Sequence, residues 1–87
     1  LDTKVGLTLE GRLAGPWVDE LNRAWRDVAP RLNERFLSLD LRNLTYSDAS
    51  GKNLLRTIYH ETGAEIVTSS PWSQYLADEI RKSIQAI

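Results

Sequence analysis

Leu39-Asp40-Leu41-Arg42-Asn43-Leu44-Thr45-Tyr46-Ser47-Asp48-Ala49-Ser50-Gly51 is the stretch that decides the fold. Its first residues, with Phe36 and Leu37 before them, read as a buried central strand. A short loop is expected next, and Asp48-Ala49-Ser50-Gly51 then steps into a helix, with Asp48 or Ser50 as the N-cap. The helix stripe is Gly51, Leu54, Leu55, Ile58 and Tyr59, and Gly63 punctuates its end.

Upstream of this stretch, Val5, Leu7 and Leu9 alternate with Gly6, Thr8 and Glu10, a period of two that argues a strand with one buried face. Gly11 and Gly15 then free the backbone, and Pro16 suits the first turn of a helix. Trp17, Leu21, Ala24, Trp25, Val28 and Leu32 follow at spacings of three and four, an amphipathic stripe that needs a surface to cover. Trp17, Trp25 and Trp72 all lie on such stripes, so they read as core rather than as stacking platforms. Pro30 ends or bends the first helix near Ala29.

Downstream, residues 64–68 read as a third strand. Ser70 caps a last helix with Pro71 at its first position, and Trp72, Leu76, Ile80 and Ile84 repeat every fourth residue. The order β-α-β-α-β-α predicts an α/β domain with a mainly parallel sheet flanked by helices and right-handed crossovers.

Composition narrows the function classes. Eighty-seven residues make one domain, 1–87, with no room for a second core. Eleven basic residues against 12 acidic leave a net charge of −1, without the basic surplus expected of a nucleic-acid binder. No apolar run approaches the ~20 residues of a membrane span, and no signal-peptide pattern is visible, so the expectation is a cytoplasmic protein with no membrane insertion. The absence of cysteine excludes disulfides and thiolate sites, and one histidine excludes a multi-histidine zinc site. No metal or cofactor is expected. The chain has no methionine, so residues before Leu1 are expected to be missing.

The Asp48-Ala49-Ser50-Gly51 step after a strand resembles the phosphoacceptor turn of STAS domains, the anti-sigma-factor-antagonist family. The stretch from Leu9 to Gly15, with Leu9, Gly11, Leu13 and Gly15 at alternate positions, is similar to the crossing into the first helix of these domains. The third strand, followed by Ser69-Ser70-Pro71, falls where the family has its last parallel strand and final helix. The resemblance runs from about Val5 to Ile84. It implies a mixed, mainly parallel sheet with a possible extra antiparallel N-terminal strand, formed by residues 1–4 or by residues upstream of Leu1.

It also implies a protein-binding partner switch and not an enzyme. Ser50 would be the phosphoacceptor, and Tyr46, Asp48, Ala49, Gly51 and Lys52 the surrounding partner contacts. The implied partner is an anti-sigma factor with serine kinase activity. Other STAS subunits support the ATPase of lipid-trafficking ABC transporters, which is the alternative partner. A small nucleotide-binding domain of the same layout is a further alternative. Three positions depart from the family pattern: Ala49 stands where a hydroxyl is common, and Ser47 and Lys52 stand where apolar residues are usual.

Phosphate chemistry suits the position. A helix N-terminus offers unpaired N–H groups and partial positive charge, which stabilise an anion by about 1 kcal/mol. Phosphoserine carries roughly −1.5 to −2 charges, and Asp48 opposes the gain. Phosphorylation is therefore expected to change the surface while leaving the fold. Lys52 is placed to pair with an incoming phosphate.

The remaining chemistry-bearing residues have simpler readings. His60, with no paired ligand, reads as a solvated side chain, and helix capping accounts for Ser70. Asp19, Glu20, Arg23, Arg26 and Asp27 mix signs as a solvated helix face does. Gly11 and Gly15 lack the third glycine of a dinucleotide fingerprint, and no Ser-His-Asp triad can be assembled.

Overall fold

Strand β1 (Lys4–Leu13) leads through helix α1 (Pro16–Val28) and a 3₁₀ turn (Ala29–Arg31) to strand β2 (Phe36–Ser47). Helix α2 (Ala49–Thr62), strand β3 (Glu65–Val67) and helix α3 (Pro71–Arg81) complete the chain. The structure is a computed structural model, and it describes residues 4–33 and 35–82. The three strands lie in the order β1-β2-β3 and both pairings are parallel. The α/β class and the alternating element order expected from sequence are therefore present. Of the extra N-terminal strand, residues 1–3 lie outside the described residues, and Lys4 belongs to β1.

The alternation of β1 and β2 explains why the helices share one face of the sheet. Leu7 stands beside Leu39 and Val5 beside Leu37, while Ile66 flanks Leu39 on the other side. This row continues into Leu9, Leu13, Leu41 and Leu44, and it forms one core with Leu21 and Trp25 of α1, Leu55 and Ile58 of α2, and Leu76, Ala77 and Ile80 of α3. Leu39 and Leu41 are fully buried, and burying one such side chain contributes about 1.5–3 kcal/mol. The intervening residues Lys4, Gly6, Thr8, Phe36 and Glu65 are exposed on the opposite, helix-free face. Ser38 is the buried exception there, flanked in register by Gly6 and Glu65.

Three expectations are corrected. The loop expected after Leu41 does not form, because β2 continues to Ser47. Thr8 and Glu10 face Asp40 and Asn43, and Gly11 and Arg12 face Leu44 and Tyr46, so each ladder irregularity places an extra residue in β2. The first of these makes Leu44 rather than Asn43 the next inward residue after Leu41, which breaks the period of two in sequence but not in space. Phe36 is 72% exposed, since the pleat that turns Leu37 inward turns its neighbour outward. Trp17 at the start of α1 and Trp72 at the start of α3 are exposed, Trp17 to 62%, whereas Trp25, two turns on from Trp17, is buried against the sheet.

Candidate functional site

The C-terminal ends of β1 and β2 meet where both crossovers begin. Asp48 holds them together with three bonds. Its N–H donates to the Leu13 carbonyl at 3.1 Å. Its Oδ1 accepts the Gly51 N–H at 2.8 Å, and its Oδ2 accepts the Gly15 N–H at 3.3 Å. Asp48 is thus the N-cap of α2, and the same carboxylate holds the start of α1. Gly15 caps α1 with φ 57° and ψ −129°, a backbone region open essentially to glycine.

Gly51 brings α2 onto the end of β1. A Cβ on Gly51 would lie 2.8 Å from the Leu13 carbonyl oxygen, 2.8 Å from Leu13 Cγ and 2.7 Å from Ser47 Oγ. No side chain fits without moving backbone. Gly51 is buried, so it shapes the turn from inside rather than offering atoms to a partner. Ser47, one of the departures from the family pattern, lies under this contact, and its hydroxyl donates to the Asp48 carbonyl at 3.1 Å.

Ser50 is the second residue of α2 and is exposed, as is Ala49. Asp48 caps Gly51, and the Lys52 N–H already donates to the Asp48 carbonyl. Among the described residues, neither the Ala49 and Ser50 N–H groups nor the Ser50 hydroxyl has an intrachain partner. Tyr46 is 41% exposed beside the turn, and the Arg12 guanidinium lies 4.4 Å from its ring centroid. Such a stack is worth about 0.5–1 kcal/mol on a surface. The exposed residues of the turn are therefore Ala49 and Ser50, with Asp48 half-buried beside them, and Tyr46 is exposed at the end of β2 with Arg12 over its ring.

Lys52 points away from it. It is half-buried, with Nζ 3.8 Å from Glu79 Oε1 on α3. Glu79 also accepts from Lys82 at 2.8 Å. That hydrogen bond, aided by the charges of Lys82, Lys52 and Arg56, holds the Glu79 carboxyl below its ordinary range. Arg56 reaches across the same seam and donates to the Glu79 carbonyl at 3.1 Å, while its buried Nε has no partner among the described residues.

The structure adds Arg12, Leu13 and Gly15 to the site. Leu13 and Gly15 had a sequence signal in the Leu-Glu-Gly-Arg-Leu-Ala-Gly spacing. Arg12 had none, because its neighbour Tyr46 is set by the two irregularities of β2.

The other candidates stand apart. Ser70 caps α3 in a reciprocal capping box with Ser73. His60 is exposed, with Nε2 3.3 Å from the Lys82 carbonyl oxygen. Among the described residues no group of three or more histidine or acidic side chains could hold a metal ion, and no helix is long and apolar enough to cross a membrane. No protein-family model matches the chain, and a search of curated proteins finds no significant match.

Proposed function

We propose that the chain is a STAS-like, protein-binding regulatory module that acts as an anti-sigma-factor-antagonist-like partner switch in the cytoplasm. Ser50 accepts a phosphate from an ATP-dependent serine kinase that also sequesters a sigma factor. The kinase supplies the catalysis. Unphosphorylated, the module binds the kinase through Tyr46, Ala49 and Ser50 and frees the sigma factor.

The observation that carries this reading is the state of Ser50. It is an exposed serine at a helix N-terminus, its hydroxyl has no hydrogen-bond partner among the described residues, and the turn around it is braced by Asp48 and Gly51. A phosphate there meets the free Ala49 and Ser50 N–H groups and is opposed by the Asp48 carboxylate. These effects are of similar size, so the fold stays and the surface changes. At an interface the added bulk and charge weaken binding by about 2 kcal/mol or more.

Ser50→Asp is expected to fold normally and to bind the kinase at least about tenfold more weakly. Ser50→Ala binds and loses its response to ATP. Equal binding by both variants and the parent rejects the switch.

A second reading has one observation in its favour. Lys52 is paired with Glu79 and both oxygens of Asp48 are occupied, so the turn is also suited to be a rigid, unmodified contact. That fits a STAS subunit seated on the ATPase of a lipid-trafficking ABC transporter. Affinity purification separates the two by recovering a histidine-kinase-like protein or an ABC ATPase.

A further inference from the structure

We infer that Asp48 is a strap between two helix starts, and that a phosphate on Ser50 loosens this strap and is thereby felt at the start of α1. The inference rests on Ser50 as the phosphoacceptor and adds where in the molecule the modification acts.

The start of α1 is not held by its own side chains. Its N-cap is Gly15, which has none to offer, and Pro16 at the first helical position has no N–H. The hold comes from 33 residues away, where Asp48 Oδ2 accepts the Gly15 N–H at 3.3 Å. Among the described residues this is the one side-chain hydrogen bond to the segment 14–17. It steadies Gly15 at φ 57° and ψ −129°, and the first turn of α1 builds on that residue. The Trp17 N–H donates to the Ala14 carbonyl at 3.2 Å, and the Val18 N–H to the Gly15 carbonyl at 3.1 Å.

The main chain of Asp48 is fixed, and its side chain is the part that can give. Its N–H donates to the Leu13 carbonyl at 3.1 Å, and its carbonyl accepts the Lys52 N–H at 3.0 Å. The two carboxylate bonds are unequal. The one to the Gly51 N–H is 2.8 Å long and half-buried, inside the α2 turn. The one to the Gly15 N–H is longer and lies at the surface.

Phosphoserine at position 50 brings roughly −1.5 to −2 charges to the turn that Asp48 caps. Lys52, the nearest cation in sequence, is turned to Glu79 and does not offset them. The two anions repel, and the carboxylate relieves the repulsion through its weaker bond. Water replaces an acceptor at the surface at little cost, but not at the half-buried Gly51 N–H. So α2 keeps its cap, the sheet stays as it is, and the first turn of α1 loosens. A partner that reads the modification then meets an altered α1 start as well as a new charge.

Amide exchange on the free, isotope-labelled chain tests this. No kinase is present, so the outcome is separate from whether a kinase modifies Ser50. The parent is compared with the chain carrying phosphoserine at position 50, incorporated during synthesis, and with the neutral variant Ser50→Asn. Phosphoserine is expected to speed exchange of the Gly15 N–H at least about fivefold while leaving the Gly51 N–H within about twofold of the parent. A nearby anion by itself slows base-catalysed exchange, so acceleration reports the lost bond. Ser50→Asn is expected to match the parent. Asp48→Asn tests the route, since asparagine still caps a helix but carries no charge to be repelled. In that background phosphoserine is expected to add less than about twofold at Gly15, and circular dichroism checks that the variant is folded. A Gly15 rate unchanged or slowed by phosphoserine overturns the inference and leaves Ser50 standing as an acceptor. Equal acceleration with and without the Asp48 carboxylate overturns it as well.

Discussion

Two helices of this chain have a serine at their N-terminal end, Ser50 as the second residue of α2 and Ser70 as the N-cap of α3, and the two serines are in opposite states. At the start of α3, Ser70 Oγ accepts the Ser73 N–H at 3.1 Å, and Ser73 Oγ accepts the N–H groups of Ser69 and Ser70 at 3.0 and 2.9 Å. Ser73 is fully buried, so these hydroxyls are structural. At the start of α2 an aspartate does the capping, and Ser50 is left outside with its hydroxyl unengaged among the described residues. A serine whose oxygen already holds a helix end is a poor phosphoacceptor, since modification must first break the cap. One held in place by its neighbours but bonded to none of them can be modified without unfolding anything.

This contrast is most exposed to attack at Gly51, where the bracing of the α2 turn depends on the missing side chain. Gly51→Val has to displace Leu13 or lift α2, and overpacking of this kind costs about 1–3 kcal/mol. Urea unfolding of the variant should show a loss in that range. A midpoint equal to the parent's means that the turn is slack.

A smaller loss of the same kind is expected at α3. Ser73→Ala leaves the Ser69 and Ser70 N–H groups without their acceptor, and an unsatisfied buried group costs about 1–3 kcal/mol, toward the low end here because both donors lie near the surface. Ser50→Ala, by contrast, should fall within about 0.5 kcal/mol of the parent. The two alanine variants compared by thermal melting measure the difference between the serines directly, and equal destabilisation removes it.

Sequence pattern alone brings one to Asp48-Ala49-Ser50-Gly51 but not to this distinction. The alternation of Val5, Leu7 and Leu9 and the leucines of β2 are local signals, and they place the strands. Asp48 and Ser50 are both good caps, and only the geometry shows that Asp48 does the work, because its carboxylate also reaches Gly15 from a position 33 residues away in sequence. The extension of β2 to Ser47 is hidden by its irregularities, which space Leu41 and Leu44 by three. Trp17 lies on the helix stripe yet remains exposed, since a stripe tells which face is apolar and not how far along the helix the sheet extends. Lys52, adjacent to the turn in sequence, is drawn to α3 by Glu79.

The smallest expected effect concerns acid. Asp40 accepts from Arg42 Nη2 at 2.8 Å, from Nε at 3.0 Å and from its backbone N–H at 3.0 Å. The Arg42 side chain first, and then its N–H, hold the Asp40 carboxyl at a pKa of about 2, against an ordinary 3.8. A depressed carboxyl stabilises the fold above its ordinary pKa, and that contribution is lost as pH falls from about 4 through about 2. The Arg42 carbonyl accepts from the Ser69 hydroxyl at 3.4 Å, so the Asp40–Arg42 pair adjoins the segment that leads into α3. Asp40→Asn should flatten the stability profile between about pH 4 and pH 2. A profile as steep as the parent's assigns the acid sensitivity to another group.

The most direct test of the central claim is phosphopeptide mapping of the chain isolated from its native cell. The account predicts phosphate on Ser50 and none on Ser70 or Ser73. An unmodified Ser50 beside a phosphorylated Ser70 or Ser73 would contradict it.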